Sequence, residues 1–224
     1  MKSFRSTSVT ILVAVAALTA CDPDRTAEAD PQGDPAAVPA ETRWNANPAA
    51  DIRPDNGDGM VIETEPHTVV WPDDVGEVAP PYRVRVLLEK EEGRRHEGFG
   101  IIFGARDLTA AEEEQRYSYF LIRGDGSFLV RLRDGPEVPV ILPWAEHEAI
   151  RPDARGENPE NELAVEVGVD ETRFLVNGEE VERVATAELF TRGKVGLRIA
   201  HDVRLRVRGF EVQEGGEGEG IAQN

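Results

Sequence analysis

Apolar and polar residues alternate with period two along most of the chain, in short runs that close on Gly, Pro, Asn or Asp. In a strand, successive side chains point to opposite faces, so this pattern buries one face of each run and wets the other. It predicts strands over 60–65, 82–89, 99–105, 117–123, 127–133, 138–144, 162–169, 172–177, 195–200 and 203–212. Gly124-Asp125-Gly126 and Asn177-Gly178 stand where hairpins must reverse, since Gly and Asn tolerate the positive φ of tight turns. A capping-box spacing at Thr109-Ala110-Ala111-Glu112 predicts one helical turn inside an acidic, polar surface loop. The fold class is all-β, an antiparallel sandwich spanning residues 60–213.

The flanks do not alternate. Residues 1–20 carry Lys2 and Arg5, no acid, and an apolar run from Val9 to Leu18 that is too short to span a bilayer. They read as an export signal. The run ends in Leu18-Thr19-Ala20-Cys21, which resembles the lipobox of bacterial lipoproteins. That resemblance implies cleavage before Cys21, lipid attached to its thiol, a membrane as partner through the anchor, and a place in the cell envelope facing the periplasm or the exterior. Asp22 resembles the residue that keeps proteobacterial lipoproteins in the inner membrane, a rule that depends on phylum. Residues 21–59 hold six prolines after Cys21 and few apolar residues, the composition of a disordered tether. Residues 214–224 form a Glu/Gly tail.

Charge narrows the function classes. The chain has 43 acidic and 25 basic side chains, a net charge of −18, which argues against nucleic acid as a partner through a general basic surface. The single cysteine excludes an intrachain disulfide framework and a Cys-rich zinc site. No phosphate-cradling loop and no nucleophile elbow occurs, and no motif calls for a cofactor.

The succession Glu97-Gly98-Phe99-Gly100-Ile101-Ile102-Phe103-Gly104, then Tyr117-Ser118-Tyr119-Phe120-Leu121-Ile122, then Gly126-Ser127-Phe128 resembles the concanavalin A-like lectin/glucanase superfamily. The stretches 161–167, Phe174-Leu175-Val176-Asn177-Gly178 and Gly193-Lys194-Val195-Gly196-Leu197 extend the likeness to laminin-G-like modules and the 3-keto-disaccharide hydrolase domain. These motifs are structural glycines and core residues, so they imply the jelly-roll sandwich more than any activity.

Sugar hydrolases of that superfamily carry alternating carboxylates on one strand. Glu162 and Glu166 come nearest, but Ala164 stands between them and their Cα atoms lie about 13 Å apart at roughly 3.3 Å per residue. That is too far for the carboxyl spacing of a glycosidase pair, so no catalytic residue is assigned. His67, His96, His147 and His201 stand singly, without the spacing of a metal site, and no loop spells a calcium site. Arginines fill the outward positions 83, 85, 131, 133, 204, 206 and 208, which would make one face cationic if the strands align them. The alternative is cross-strand pairing with glutamates. Trp144-Ala145-Glu146-His147-Glu148 follows a strand and a proline, placing an aromatic platform beside polar groups. Trp144, Glu146 and His147, completed by Tyr119 and Arg123 from a neighbouring hairpin, are the candidate ligand-binding residues. The first functional reading is a non-catalytic, lipid-anchored sandwich that binds a glycan or an envelope protein. A hydrolase acting on modified sugars and a scaffold without small ligand are the alternatives.

Overall fold

The structure, a computed structural model, describes residues 36–37, 42–55, 59–154 and 157–215. The export signal, Cys21 and most of the tail lie outside the described residues. In chain order the strands are β1 Ala36–Ala37, β2 Trp44–Asn47, β3 Asp51–Pro54, β4 Gly59–Glu63, β5 Thr68–Pro72, β6 Tyr82–Glu92, β7 Gly98–Arg106, β8 Arg116–Arg123, β9 Ser127–Asp134, β10 Val140–Glu146, β11 Glu160–Val167, β12 Glu171–Val176, β13 Glu179–Ala185, β14 Lys194–Ile199 and β15 Arg204–Glu214. They form two antiparallel sheets. An eight-stranded sheet runs β13-β12-β11-β6-β15-β4-β3, with β1 also on β15, and a seven-stranded sheet runs β10-β9-β8-β7-β14-β5-β2.

The predicted alternation is plainest in β6, where Tyr82, Val84, Val86 and Leu88 are buried and the residues between them are half-buried. This inner row meets the inner faces of β7, β8 and β14, namely Phe99, Ile101, Phe103, Phe120, Ile122, Val195, Leu197 and Ile199, in one core. Phe174 of β12 lies at its centre, with ring centroids 5.1 Å from Phe120 and 6.2 Å from Phe103. The row in β6 continues into Lys90, which is 4% exposed. Its ammonium sits 2.5 Å from Asp153, donates to the Arg94 carbonyl at 3.1 Å and lies 5.9 Å from the Phe99 ring centroid. A buried charge is tolerated there because a carboxylate and a carbonyl replace its water.

Both expected reversals form. Asn177 and Gly178 have φ of 52° and 82°, the two positive values a type I′ turn requires, and the turn delivers β13, which the alternation did not outline. Gly126, at φ 88°, donates its N–H to the Arg123 carbonyl at 3.1 Å and closes the β8–β9 hairpin. In β15 the alternation breaks. Leu205 and Val207 face inward, and so does Phe210, because a bulge at Gly209 (φ 53°) shifts the register against β6.

Three expectations need correction. The tether does not run to residue 59, because β2 and β3 fall within it and extend the two sheets. The sparse apolar residues there are the anchors: Trp44 packs edge-on against Phe210 at 5.1 Å, and Ile52 lies opposite Ile62. Short edge strands rich in polar residues and proline leave no period to read. The alternation also missed β5, whose five residues are all buried, since a strand covered on both faces has no polar parity. Finally, the loop after β7 is more than a surface excursion. Leu108 is buried with Trp71, Ile102 and Tyr117 on the outer face of the seven-stranded sheet, and Asn47 holds the loop by donating to the Leu108 and Ala110 carbonyls at 2.8 and 2.7 Å. The single 3-10 turn in this loop covers Glu112–Glu114.

Candidate functional site

The outward arginines separate onto two sheets, with opposite consequences. Arg83, Arg85, Arg204, Arg206 and Arg208 share the outer face of the eight-stranded sheet, where pairing sets glutamates directly across from them. Arg83 faces Glu166, Arg85 faces Glu211, Arg204 faces Glu63 and Arg206 faces Glu89. Each of these pairs closes, at 3.3, 2.7, 3.1 and 3.3 Å in that order. Arg208 pairs with Glu160, and Arg85 also reaches Glu162 at 2.9 Å. This face is a neutralised Arg/Glu ladder, each exposed pair contributing about 0–1 kcal/mol. Glu162 and Glu166 are consumed in it, as the pairing alternative predicts.

The outer face of the seven-stranded sheet is different. Side chains of five strands line up across it in one row: Leu129 opposite Leu121, Leu121 opposite Gly100, Gly100 opposite Arg198, and Arg198 opposite Val69. A parallel row sets Arg131 opposite Tyr119 and Tyr119 opposite Ile102, and beyond the first row Arg123 stands opposite Gly98. The loop through Leu108 joins the apolar cluster formed with Trp71 and Tyr117. Beside that cluster opens a cleft of about 350 Å³ lined by Gly98, Tyr119, Leu121, Arg123, Arg131 and Trp144, among others.

Trp144 shapes this cleft. From β10 its ring reaches across β9 and β8 to β7, where a Cβ on Gly98 would come within 3.2 Å of both Trp144 and Leu121. The missing side chain at 98 leaves room for the outer edge of the indole. Arg123 stacks on the same ring, its guanidinium carbon 3.5 Å from the centroid, within cation–π range. Burial holds the Arg123 guanidinium below its ordinary value; Asp125 and Glu97 oppose the shift and Arg131 adds to it.

The other wall is built by β14 and the turns at its end. Arg198 is 5% exposed. It donates to the Tyr117 hydroxyl at 2.5 Å, meets His67 Nδ1 at 3.1 Å, and stands 5.2 Å from the Tyr119 ring centroid. Pairing of β14 with β5 brings His201 and His67 together, ring centroids 4.9 Å apart. His201 in turn meets Glu97 at 2.7 Å, and His96 approaches the same carboxylate at 3.3 Å. Burial, then the positive charge of Arg198, hold His67 below the ordinary imidazole value against the opposing pull of Glu112. Among the described residues no cluster of His, Cys, Asp and Glu could hold a metal ion.

Of the residues expected to bind, Tyr119, Arg123 and Trp144 come together in the cleft. Glu146 and His147 do not line it. Glu146 is exposed at the end of β10, and His147 turns to the edge of the main core, 6.3 Å from the Phe128 ring, with Nδ1 accepting from the Ala149 N–H at 3.1 Å. Period two puts residue 147 on the opposite face from Trp144 had the strand continued, and the turn after Glu146 keeps it there. Sequence reasoning missed Gly98, Arg198, His67 and His201 as neighbours. The parity of 195–199 points Arg198 outward, but nothing local says that β14 lies beside β7.

No family model and no curated protein sequence matches the chain. Solved structures do. A carbohydrate-binding module, CBM66 from Bacillus subtilis, superposes with a TM-score of 0.61 at 11% identity, over 77% of this chain and 96% of that one. A Bacillus subtilis protein of unknown function with a galectin-like fold gives 0.56 at 15% identity, over 78% and 89%. The exoplasmic/lumenal domain of VIP36, in a Ca²⁺/Man3GlcNAc-bound form, gives 0.54 at 10% identity, over 80% and 86%. The fold is that of the galectin-like and concanavalin A-like sandwiches.

Proposed function

We propose that this protein is a lipid-anchored protein of the bacterial cell envelope whose sandwich binds carbohydrate, without catalysis, in the cleft on the outer face of the seven-stranded sheet. The observation that carries the reading is the Trp144 ring laid over Gly98 beside Tyr119 and bordered by Arg123 and Arg131. Sugars stack their apolar faces on such rings while guanidinium and imidazole groups donate to their hydroxyls. Neighbours of the same fold include a carbohydrate-binding module and a domain bound to Man3GlcNAc, which agrees with this use of the sandwich. Binding rather than hydrolysis is favoured because Glu97 is the lone carboxylate among the described lining residues, whereas a glycosidase flanks its bond with two. The anchor rests on the export signal and Cys21, outside the described residues.

A glycan array probed with the full chain and with Trp144→Ala tests the binding. Capture of a glycan set by the former and its loss in the latter is expected, and no retained glycan for the native chain would end the proposal. Metabolic labelling with a palmitate analogue tests the anchor: label that vanishes in Cys21→Ser is expected, and an unlabelled native chain would refute it.

A further inference from the structure

The cleft lining is cationic although the chain as a whole is acidic. On a chain with a net charge of −18, its described lining includes Arg94, Arg123, Arg131 and Arg198 but one carboxylate, Glu97, already engaged by His201 and His96. Arg198 has partners in Tyr117, His67 and, at 3.6 Å, Glu112. Arg123 and Arg131 form no ion pair among the described residues; a buried Nε without a hydrogen-bond partner is common to them and to the ion-paired Arg83 and Arg206, so the missing carboxylate is what sets them apart. The contrast with the eight-stranded sheet is sharp, because there the same arginine-rich alternation is met by a glutamate at each register position named above.

Leaving two guanidinium groups half-desolvated and unpaired in an acidic protein costs free energy that a pairing glutamate would recover. The contact with Trp144 uses the face of the Arg123 guanidinium and leaves its terminal NH2 donors for a planar anion. Arg131 enters from the next strand beside Tyr119, on the other side of Leu121. An arginine fork of this kind matches carboxylate and sulfate oxygens in a bidentate way.

We infer that the sugar bound in this cleft carries an anionic group, a uronate carboxylate or a sulfate ester, held by Arg131 and Arg123 while an apolar ring face lies on Trp144. The inference rests on the carbohydrate-binding reading of the same cleft. Long-range attraction cannot supply the selectivity, since the net charge of the protein repels anions; the contacts within the cleft must.

Titration calorimetry of the full chain with matched probes tests it: oligogalacturonate against its methyl ester, and dextran sulfate against dextran, at low and high salt. The anionic member of at least one pair should bind about ten-fold tighter or more, as expected for a charge-assisted hydrogen bond. The preference should shrink with salt. Which pair responds separates carboxylate from sulfate recognition. Arg131→Gln should lower affinity for the anionic member several-fold more than for the neutral one, Arg131→Lys should recover part of the preference, and Arg83→Gln on the opposite sheet should change nothing. Equal affinity for charged and neutral members, or a preference unmoved in Arg131→Gln, would overturn the inference and leave the binding reading standing. Failure to bind any probe, together with an empty glycan array, would remove both.

Discussion

The Arg123 guanidinium carbon sits over the Trp144 ring, 3.5 Å from its centroid, although the two residues come from strands separated by β9. Arg123 covers one face of the indole, and the missing side chain at Gly98 leaves room for its outer edge. Trp144→Ala removes both the platform and the support of Arg123. Affinity for a bound glycan should fall about ten-fold or more, whereas Trp144→Tyr should keep most of it. Because Trp144 is half-buried at the edge of its cluster, the unfolding free energy should drop by no more than about 2 kcal/mol. Calorimetric binding and urea unfolding of the same variants separate the two effects.

Gly98 should matter to the site more than to the fold. Its missing Cβ would stand 3.2 Å from the Trp144 ring and the Leu121 methyl, so Gly98→Ala forces a shift of a few tenths of an ångström and Gly98→Val lifts the indole. Glycan affinity should fall in the order Gly, Ala, Val. A red shift of tryptophan emission should report the exposure, and an affinity equal to the native chain in Gly98→Val would contradict the geometry.

Lys90 closes the end of the core. With its ammonium 2.5 Å from Asp153 and the residue 4% exposed, Lys90→Ala should cost about 3 kcal/mol, since it removes the partner of a half-buried carboxylate and opens a cavity. Lys90→Met combined with Asp153→Asn should recover most of that loss. Urea denaturation of the single and double variants makes the comparison.

His67 gives the cleft a pH dependence. It faces Arg198 from β14, Glu112 from the loop, and His201 and Arg133, and burial is the largest cause of its lowered proton affinity. The unfolded chain therefore binds the proton more readily than the folded one. This contribution to stability is present above the unfolded value of about 6.5 and is lost as pH falls through the folded value. In His67→Gln the acid-side decline of the urea midpoint below about pH 6.5 should be shallower than in the native chain.

Whatever depends on neighbours along the chain was legible in the residues alone. Period two in β6, β8 and β9 dictated which side chains go inward, and Asn177-Gly178 and Gly126 dictated where the strands reverse, because both are consequences of local backbone geometry. The same alternation aimed the arginines outward, and it put Tyr119 and Arg123 on one side of β8. What it could not contain is which strand lies beside which. Tertiary pairing gave Arg85 and Arg206 glutamate partners on one sheet and, among the described residues, left Arg123 and Arg131 without an ion pair on the other. It also brought His67 to His201 and laid Trp144 over Gly98, a residue 46 positions earlier in the chain. It enlisted the polar edge strands β2 and β3, whose composition alone reads as linker, because burial of Trp44 and Ile52 against the core outweighs their weak strand pattern.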